Sequence, residues 1–291
     1  MYRQKTHGVW TSEIAEYLNR NLQGEDFLVD DPTSIVTPRS AAHAPRLPRE
    51  GRKTLVLAPA SPAGPSPTTF IPSDQPEVDL ARLLLEFFAT APVNRIHPTA
   101  LISEDARIGR NVMVGAYSMI GSGVEVGDNT RILNRVVISG PAVLGKYCVV
   151  KDGAVIGSEG YGFVISEDGT PLHPPHLGRI VIGDRVWVGS NSTVERGMLV
   201  ETIIEDDVKV DDLVHVGSGA RIGSRCMLTA GVVIAFDVTL GPDVTVAPNA
   251  AIRESLTVAP GVVVGQGAVV IRDLTERGAY VGNPARLLRR T

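Results

Sequence analysis

Aliphatic residues recur at every sixth position over most of the chain. The first run is unbroken from Ile96 to Ile156, and after an interruption a second run extends from Ile204 to Val270. Four residues after most of these aliphatics stands a second small or β-branched residue, such as Val112, Val124 or Val208. Because an α-helix turns every 3.6 residues, a strict period of six would drift around its surface. A short strand followed by a corner can repeat that period indefinitely.

Each hexapeptide is therefore predicted to be a strand plus a corner, with three hexapeptides closing one rung of a triangular prism. A unit of this size cannot bury its apolar face alone and must stack on copies of itself. Glycine after many repeat aliphatics indicates corners that need positive φ or a close backbone approach: Gly109, Gly115, Gly121, Gly127, Gly145, Gly217, Gly223, Gly241 and Gly265. A β-sandwich would need strands spaced by about 8 to 12 residues and hairpin signals, and neither is found.

The repeat divides the chain into three predicted parts. Residues 1–92 do not follow it and are predicted to form a small α/β domain that binds substrate or nucleotide. Residues 93–275 are predicted to form the parallel β-helix, with an inserted loop at 157–179, and residues 276–291 a short C-terminal tail. At 291 residues the chain has room for about two domains.

Three elements and one loop are predicted within the first part. Thr11 or Ser12 would cap a short helix whose apolar face is Ile14, Ala15 and Leu18. Thr54 to Ala58 would be a buried strand, and the segment from Asp31 to Lys53, rich in Pro, Ser, Ala and Arg, a loop. A second helix would start near Asp74, with an apolar side made of Val78, Ala81, Leu84, Leu85 and Phe88.

Composition narrows the class of protein. The sequence is 43% hydrophobic but only 5% aromatic, which suits a core of Val, Ile and Ala, and its net charge is -4. Such a charge gives no broad attraction for nucleic acid or anionic lipid. No apolar run is long enough to span a membrane, and no signal peptide is recognised, so a cytoplasmic location is expected. Cys148 and Cys226 fall on inward positions and are predicted to be core residues.

The functional site is expected where the repeat is interrupted. A loop ejected from a solenoid needs no core, and long insertions are usually functional. This loop holds the candidate substrate-binding residues Tyr161, Phe163, His173, His176 and Arg179. A flat prism face makes no pocket by itself, whereas prisms packed around a threefold axis enclose clefts. A homotrimer with sites at its interfaces is therefore predicted.

Several segments resemble one family. Residues 156–163, 177–184, 194–197 and 210–217 are similar to the UDP-3-O-acylglucosamine N-acyltransferases of lipid A synthesis. The resemblance implies a left-handed parallel β-helix and acyl transfer from a thioester to an amine on a nucleotide-linked sugar. It implies no metal. The segment 40–53 contains no Phe, Tyr or Trp, so the uridine platform of the family is missing and the acceptor's nucleotide is left open.

The family's catalytic base is a His in a segment resembling Val-His-Ile-Ala-His-Asn, and here the aligned position is Ser218. A serine hydroxyl is not a base near neutral pH. Either another group serves, or the amine arrives deprotonated, or transfer activity has been lost. His215 is the nearest candidate, and a carboxylate of Asp211 or Asp212 could orient its ring.

The chain's ending resembles the coenzyme A dependent sugar acetyltransferases. That resemblance implies that the cofactor is approached by Gly282, Asn283, Pro284, Ala285, Arg286 and Arg289. Acyl-CoA is accordingly favoured as co-substrate over acyl carrier protein.

The sequence thus predicts a mainly β N-acyltransferase acting on an amino sugar. The alternative is a catalytically degenerate relative that serves as a binding or scaffold protein, because Ser218 replaces the family base. A zinc hydratase would need three His from neighbouring rungs, and the prism offers essentially one outward His.

Overall fold

The structure is a computed structural model that describes residues 8–23, 26–30, 32–37, 53–59, 68–89 and 95–289. The chain divides into two compact units, Met1–Pro92 and Val93–Thr291. Within the described residues, no helix combines the length and the apolar character needed to cross a bilayer.

The first unit combines short helices with two small sheets. Its described elements are β1 (Val9–Trp10), α1 (Thr11–Tyr17), β2 (Leu28–Val29), a 3-10 turn (Pro32–Ser34), β3 (Ile35–Val36), β4 (Thr54–Ala58), β5 (Thr68–Pro72), α2 (Pro76–Leu83) and a π-helical turn (Leu84–Phe88). Strands β1 and β2 pair antiparallel, whereas β3, β4 and β5 form a parallel sheet. The predicted buried strand is β4. Of the predicted loop, residues 32–37 form the 3-10 turn and β3, and 38–52 lie outside the described residues.

The N-terminus of α1 differs from its prediction. The capping position is Trp10, whose backbone N–H donates to the Glu13 carboxylate at 2.9 Å. The hydroxyls of Thr11 and Ser12, predicted to cap the helix, both donate to the Asp26 carboxylate at 2.8 Å. The backbone N–H of Ser12, and then these hydroxyls, hold the pKa of Asp26 below its usual value.

The buried face of α2 also differs from its prediction. Val78 and Leu85 are exposed, and the helix buries Leu83 and the Asp79 carboxyl, which accepts a hydrogen bond from the Ser73 hydroxyl at 2.7 Å. The regular helix ends at Leu83, and the π-helical turn that follows changes the side on which later residues lie. The spacing of five apolar residues on one uninterrupted helix was therefore the wrong pattern.

The second unit is a coil of short parallel strands. They are β6 (Leu101–Ile102), β7 (Arg107–Ile108), β8 (Met113–Val114), β9 (Met119–Ile120), β10 (Val124–Val126), β11 (Arg131–Ile132), β12 (Val137–Ile138), β13 (Ala142–Leu144), β14 (Val149–Val150), β15 (Val155–Glu159), β16 (Val164–Ile165), β17 (Pro171–Leu172), β18 (Ile180–Ile182), β19 (Trp187–Val188), β20 (Thr193–Arg196), β21 (Thr202–Ile204), β22 (Lys209–Val210), β23 (His215–Val216), β24 (Arg221–Ile222), β25 (Met227–Leu228), β26 (Val233–Ile234), β27 (Thr239–Leu240), β28 (Thr245–Val246), β29 (Ala251–Ile252), β30 (Thr257–Val258), β31 (Val263–Val264), β32 (Val269–Val270), β33 (Ala279–Val281) and β34 (Arg286–Arg289).

Except for β16 and β17, which pair antiparallel with each other, these strands build three sheets whose register follows the predicted rung. Arg131 pairs with Val149, 18 residues further on, so three hexapeptides complete one turn. The aliphatic and small positions both point inward: Ile132 and Val136 have no exposed surface. The predicted left-handed parallel β-helix is confirmed, and its core is a column of Val, Ile, Leu and Ala side chains.

The corners use glycine in two ways. Positive φ falls three residues after the repeat aliphatic, as at Gly123 (φ 68°) and Gly219 (φ 72°). The glycine directly after the aliphatic instead allows close approach between rungs. A Cβ at Gly127 would lie 2.6 Å from the carbonyl carbon of Gly145 in the next rung.

Two insertions lengthen the rungs. Ala142 pairs with Ile180 rather than with a residue 18 positions on, which accommodates the loop predicted at 157–179. Part of that loop is ordered as strand, because β15 continues to Glu159 and β16 pairs with β17. A second, unpredicted insertion of four residues makes Thr193 pair with His215. At the other end, β33 continues one sheet and β34 folds back on it.

Both cysteines are core residues, as predicted. Cys148 and Cys226 are free thiols with 1% and 0% of their surface exposed. Burial raises the pKa of each thiol to about 11.

Candidate active site

The two insertions lie over the coil and enclose a pocket of about 720 Å³. Its wall is formed by Tyr161, Gly162, Phe163, Val164, His176, Glu195, Met198, Leu199, Val200, His215, Ser218, Gly219, Phe236 and Asp237. Five of the predicted site residues are therefore brought together: Tyr161, Phe163, His176, His215 and Ser218. A concave site with a few convergent polar groups is the usual form of a small-molecule site.

His215 is positioned by the rung before it. It lies on β23, directly beside Thr193 of β20. Its Nδ1 is 2.8 Å from the Thr193 Oγ1, and its Nε2 is 3.9 Å from the Glu195 Oε2. The first distance is a hydrogen bond, and the second is too long to be one. Thr193 therefore fixes the ring, while Nε2 remains on the pocket side next to a carboxylate.

The hydroxyl of Ser218 is already engaged. It donates to the backbone carbonyl of Arg196 at 3.1 Å, and the Ser218 backbone N–H points to the Glu195 Oε2 at 3.3 Å. This residue therefore helps to hold Glu195 and offers no free base. Its alignment with the family's histidine stays a prediction from the sequence.

The carboxylate beside His215 is Glu195, and not Asp211 or Asp212 as predicted. The Asp211 carboxylate accepts from the Asp212 backbone N–H, and Asp212 binds the Lys151 ammonium at 2.6 Å, which lowers the pKa of Asp212. Asp211 lies at the corner between β22 and β23, which belong to different sheets. In a coil with three faces, residues of successive rungs are neighbours, whereas residues four apart are separated by a corner.

The inserted loop contributes a stack of rings. His173 lies between Phe163 and His176, with centroid distances of 4.8 Å and 5.5 Å. Its Nε2 is 2.9 Å from the carbonyl oxygen of Gly160. His173 is therefore a support for the wall, behind Phe163 and His176, and it does not line the pocket itself. The ring of His176 is 3% exposed, and its Nδ1 has no hydrogen-bond partner.

Gly160 brings the loop backbone against the polar wall. A Cβ there would lie 2.6 Å from the Glu195 Oε2, 3.1 Å from the Ser218 Cβ and 3.2 Å from the His176 Nε2. No side chain fits at Gly160 without displacing one of these three groups.

Two arginines hold the loops and do not enter the pocket. Arg196 donates to the Glu159 carboxylate at 2.9 Å and to the Gly140 carbonyl at 2.8 Å. It is the main cause of the lowered pKa of Glu159. Arg179, predicted to bind substrate, donates to the Glu201 carboxylate at 2.6 Å and is half-exposed. Both arginines tie an insertion to neighbouring backbone or side chains.

The apolar side of the pocket depends on the insertion that the sequence reading missed. Met198, Leu199 and Val200 come from it, and they stand with Phe163 and Phe236 around the opening. The signal was present in the sequence, because Val194 and Ile204 are ten residues apart where the period requires six.

One group within the described residues has the composition of a metal site. Glu159, His173 and His176 offer ligand atoms that lie within 4.8 Å of one another. However, Glu159 is already paired with Arg196, and the His173 Nε2 is bound to the Gly160 carbonyl.

Two family models match the coil that carries this pocket. The bacterial transferase hexapeptide (six repeats) matches residues 105–140, 123–158 and 201–235. The hexapeptide repeat of succinyl-transferase matches residues 179–211. Together the two models cover residues 105–158 and 179–235, so the match describes repeats of the coil and not the whole chain.

Curated relatives to which this chain is similar include UDP-3-O-acylglucosamine N-acyltransferases. That of Coxiella burnetii is 27% identical over 226 residues, which are 68% of this chain and 66% of the relative. That of Alkalilimnicola ehrlichii is 28% identical over 234 residues, 70% of this chain and 66% of the relative. The resemblance predicted from the sequence is confirmed, and the matches span just under two thirds of the relatives' length.

One solved structure is similar to this chain in both fold and sequence. The UDP-N-acetylglucosamine acyltransferase of Francisella novicida is 25% identical, with a TM-score of 0.57 over 62% of this chain and 63% of that one.

The residues predicted to approach coenzyme A lie outside the pocket. Gly282 to Ala285 form the turn between β33 and β34, and the Ala285 backbone N–H donates to the Val269 carbonyl. Arg286 is exposed, and one of its guanidinium nitrogens donates to the Ala285 carbonyl. Three pairing steps, through β26, β29 and β32, separate His215 from Val269. At about 4.8 Å per strand this is roughly 14 Å along the coil.

Proposed function

We propose that this protein transfers an acyl group from a thioester to the amine of a nucleotide-linked amino sugar. One observation carries the proposal: a single pocket joins a polar wall holding an oriented imidazole to an apolar wall able to cover an acyl chain. The relatives named above support the same chemistry.

His215 is the proposed base. In the tautomer that donates Nδ1–H to the Thr193 Oγ1, the Nε2 lone pair faces the pocket. An imidazole can take a proton from nitrogen as it attacks a carbonyl near neutral pH. The Ser218 hydroxyl, which donates to a backbone carbonyl, has no such lone-pair basicity. The proposal thus places the base three residues before the position of the family base, at the second residue of the segment Val-His-Ile-Ala-His-Asn, which is also His.

The apolar wall is the proposed acyl side. Phe163, Met198 and Phe236 present aromatic and thioether surface, and Leu199 and Val200 add aliphatic surface. Burying each methylene of an acyl chain there is worth about 0.8 kcal/mol. The volume of about 720 Å³ lies within the range usual for small-molecule pockets.

Acyl-CoA is the proposed donor, with acyl carrier protein as the alternative. The turn at Gly282 to Ala285 and the exposed Arg286 lie roughly 14 Å along the coil from His215, as derived above. An extended thioester arm lying along the coil would connect the two places, with Arg286 near the phosphates. Thiol release from acyl-CoA and from acyl carrier protein of the same chain length distinguishes the donors.

A homotrimer is the proposed assembly. Trp187, Met227 and Val263 are partly exposed on every second strand of one sheet, with Lys209 and Thr245 between them, and we take this mixed face as the contact between copies. Light scattering after size exclusion would give three times the mass of the chain, 31.0 kDa.

The decisive experiment measures acceptor-dependent thiol release with a panel of nucleotide-linked amino sugars. The wild-type protein is compared with His215→Ala. His97→Ala is a matched control, because the His97 Nδ1 also lies 2.9 Å from a threonine hydroxyl, that of Thr99, outside the pocket. We expect His215→Ala to lose 100-fold or more in kcat, on the order expected for a general base, and His97→Ala to retain activity.

Two results would contradict the proposal. Thiol release that no acceptor stimulates would favour a binding or scaffold protein, for which the serine at 218 is the supporting observation. Full activity of His215→Ala would remove His215 from the role of base.

A further inference from the structure

In the tautomer of His215 proposed above, two hydrogen-bond acceptors face each other in the polar wall with no donor between them. The His215 Nε2 and the Glu195 Oε2 are 3.9 Å apart. The Nδ1–H of the proposed tautomer is used by Thr193, so that Nε2 presents a lone pair. A lone pair and a carboxylate at this distance attract a group that carries hydrogen atoms and positive charge.

Glu195 lacks the cation that a buried carboxylate normally has. Its side chain is 17% exposed, and no lysine or arginine within the described residues lies within 4 Å of it. Among the described residues, the one hydrogen bond to its carboxylate comes from the Ser218 backbone N–H, at 3.3 Å from the Oε2. Removing a carboxylate from water without a partner is costly. A pocket that contains such a group is suited to a cationic ligand.

We propose that the Glu195 Oε2 and the His215 Nε2 form a two-acceptor clamp that selects a primary amine over a hydroxyl as acyl acceptor. This inference rests on the proposed function. It names the two groups that would cause the acyl group to be transferred to nitrogen and not to oxygen.

The distance fits one nitrogen donating twice. The two acceptors are 3.9 Å apart. For a nitrogen about 2.8 to 2.9 Å from each of them, the acceptor···N···acceptor angle is roughly 85 to 90°. Two N–H bonds of a tetrahedral nitrogen reach both with each hydrogen bond bent by about 10°. A hydroxyl has a single hydrogen and satisfies only one acceptor, so it leaves either the carboxylate or the imidazole unpaired.

Neighbouring residues keep the clamp open. The Ser218 side chain is small and turned toward the Arg196 carbonyl, so it leaves the carboxylate facing the pocket. Gly160 lies against the Oε2 without a side chain. Ser218 is thus a positioning residue that holds Glu195 through its backbone N–H.

Two protons leave the acceptor nitrogen during acyl transfer, and His215 carries both. The ammonium first passes one proton through His215 to solvent, and Glu195 keeps the neutral amine in place. The nitrogen then attacks the thioester carbon, and His215 takes a second proton as the C–N bond forms. The C–S bond breaks, and His215 gives that proton to the leaving thiolate. One ammonium and one thioester yield one amide, one thiol and one released proton.

The test compares UDP-glucosamine with UDP-glucose, which differ by amine against hydroxyl at one carbon, and further amine and hydroxyl pairs of the same kind. Binding is measured by titration calorimetry and turnover by thiol release. We expect the wild type to prefer the amine, and Glu195→Gln to raise the amine's dissociation constant and KM by about 10- to 100-fold. The hydroxyl analogue should bind Glu195→Gln as it binds the wild type.

Glu125→Gln is the matched control, because Glu125 is an exposed carboxylate on the same coil, 3.2 Å from Arg107. It should leave both constants unchanged. Equal binding of amine and hydroxyl by the wild type, or unchanged amine binding by Glu195→Gln, would overturn the clamp. If amines bind selectively but no acyl transfer occurs, the proposed function fails while the clamp stands. If transfer occurs without amine selectivity, the clamp fails alone.

Discussion

Replacing Thr193 by valine removes one hydrogen bond from His215 while keeping the shape of the side chain. Thr193 contacts the imidazole through Oγ1 at 2.8 Å and is a positioning residue, because it lies on the strand beside His215 and not on the pocket wall. A net hydrogen bond is worth about 0.5 to 1.5 kcal/mol. Since about 1.4 kcal/mol corresponds to a factor of ten in rate, kcat should fall by about 2- to 12-fold in Thr193→Val.

The assay is acceptor-dependent thiol release over a range of pH, with Thr193→Ser as the conservative variant. Serine keeps the hydroxyl, so Thr193→Ser should restore most of the lost kcat. KM for the acceptor should change little in either variant, because Glu195 and the pocket wall remain. Equal loss of kcat in the valine and serine variants would refute this reasoning.

Two further predictions concern the loop and the core. In Gly160→Ala the new methyl group would meet the Glu195 Oε2 at 2.6 Å and displace it. The KM for the acyl acceptor should therefore rise at least several-fold, while the midpoint of thermal unfolding changes little. An unchanged KM would show that the carboxylate is not needed in its observed position. Burial raises the pKa of the Cys148 and Cys226 thiols to about 11. Neither should react with a disulfide reagent in the folded protein at about pH 8, and both should react after denaturation. Rapid reaction of the native protein would contradict their placement in the core.

The positions of the inward residues could be read from the sequence because the coil is a local, repeated structure. Each hexapeptide makes the same turn, so Ile132 and Val136 could be assigned to the core without knowledge of any distant contact. The same periodicity indicated where the fold is interrupted and thus where Tyr161, Phe163 and His176 leave the coil. In the first unit, where no period exists, the cap of α1 and the buried face of α2 were mispredicted, because Asp26 and a π-helical turn decided them.

The partner of His215 was beyond the reach of local reasoning. Asp211 is four residues away in sequence but belongs to a different corner, whereas Glu195 is twenty residues away and on the preceding rung. The approach of Glu195 to His215 depends on a four-residue insertion that shifts the register between β20 and β23. Sequence spacing cannot show which residues meet across a rung once the rung length changes.

The sequence by itself determined the parallel coil and its core, because these follow from a short period, and it predicted through a motif that Ser218 stands at the position of the family's histidine. Only the tertiary structure decided that Glu195 faces His215, that Ser218 turns its hydroxyl toward Arg196, and that the second insertion supplies the apolar wall. The physical reason is that side chains of different rungs approach one another through the stacking of the coil. The distances between them are set by insertions and corners, and not by neighbours along the chain.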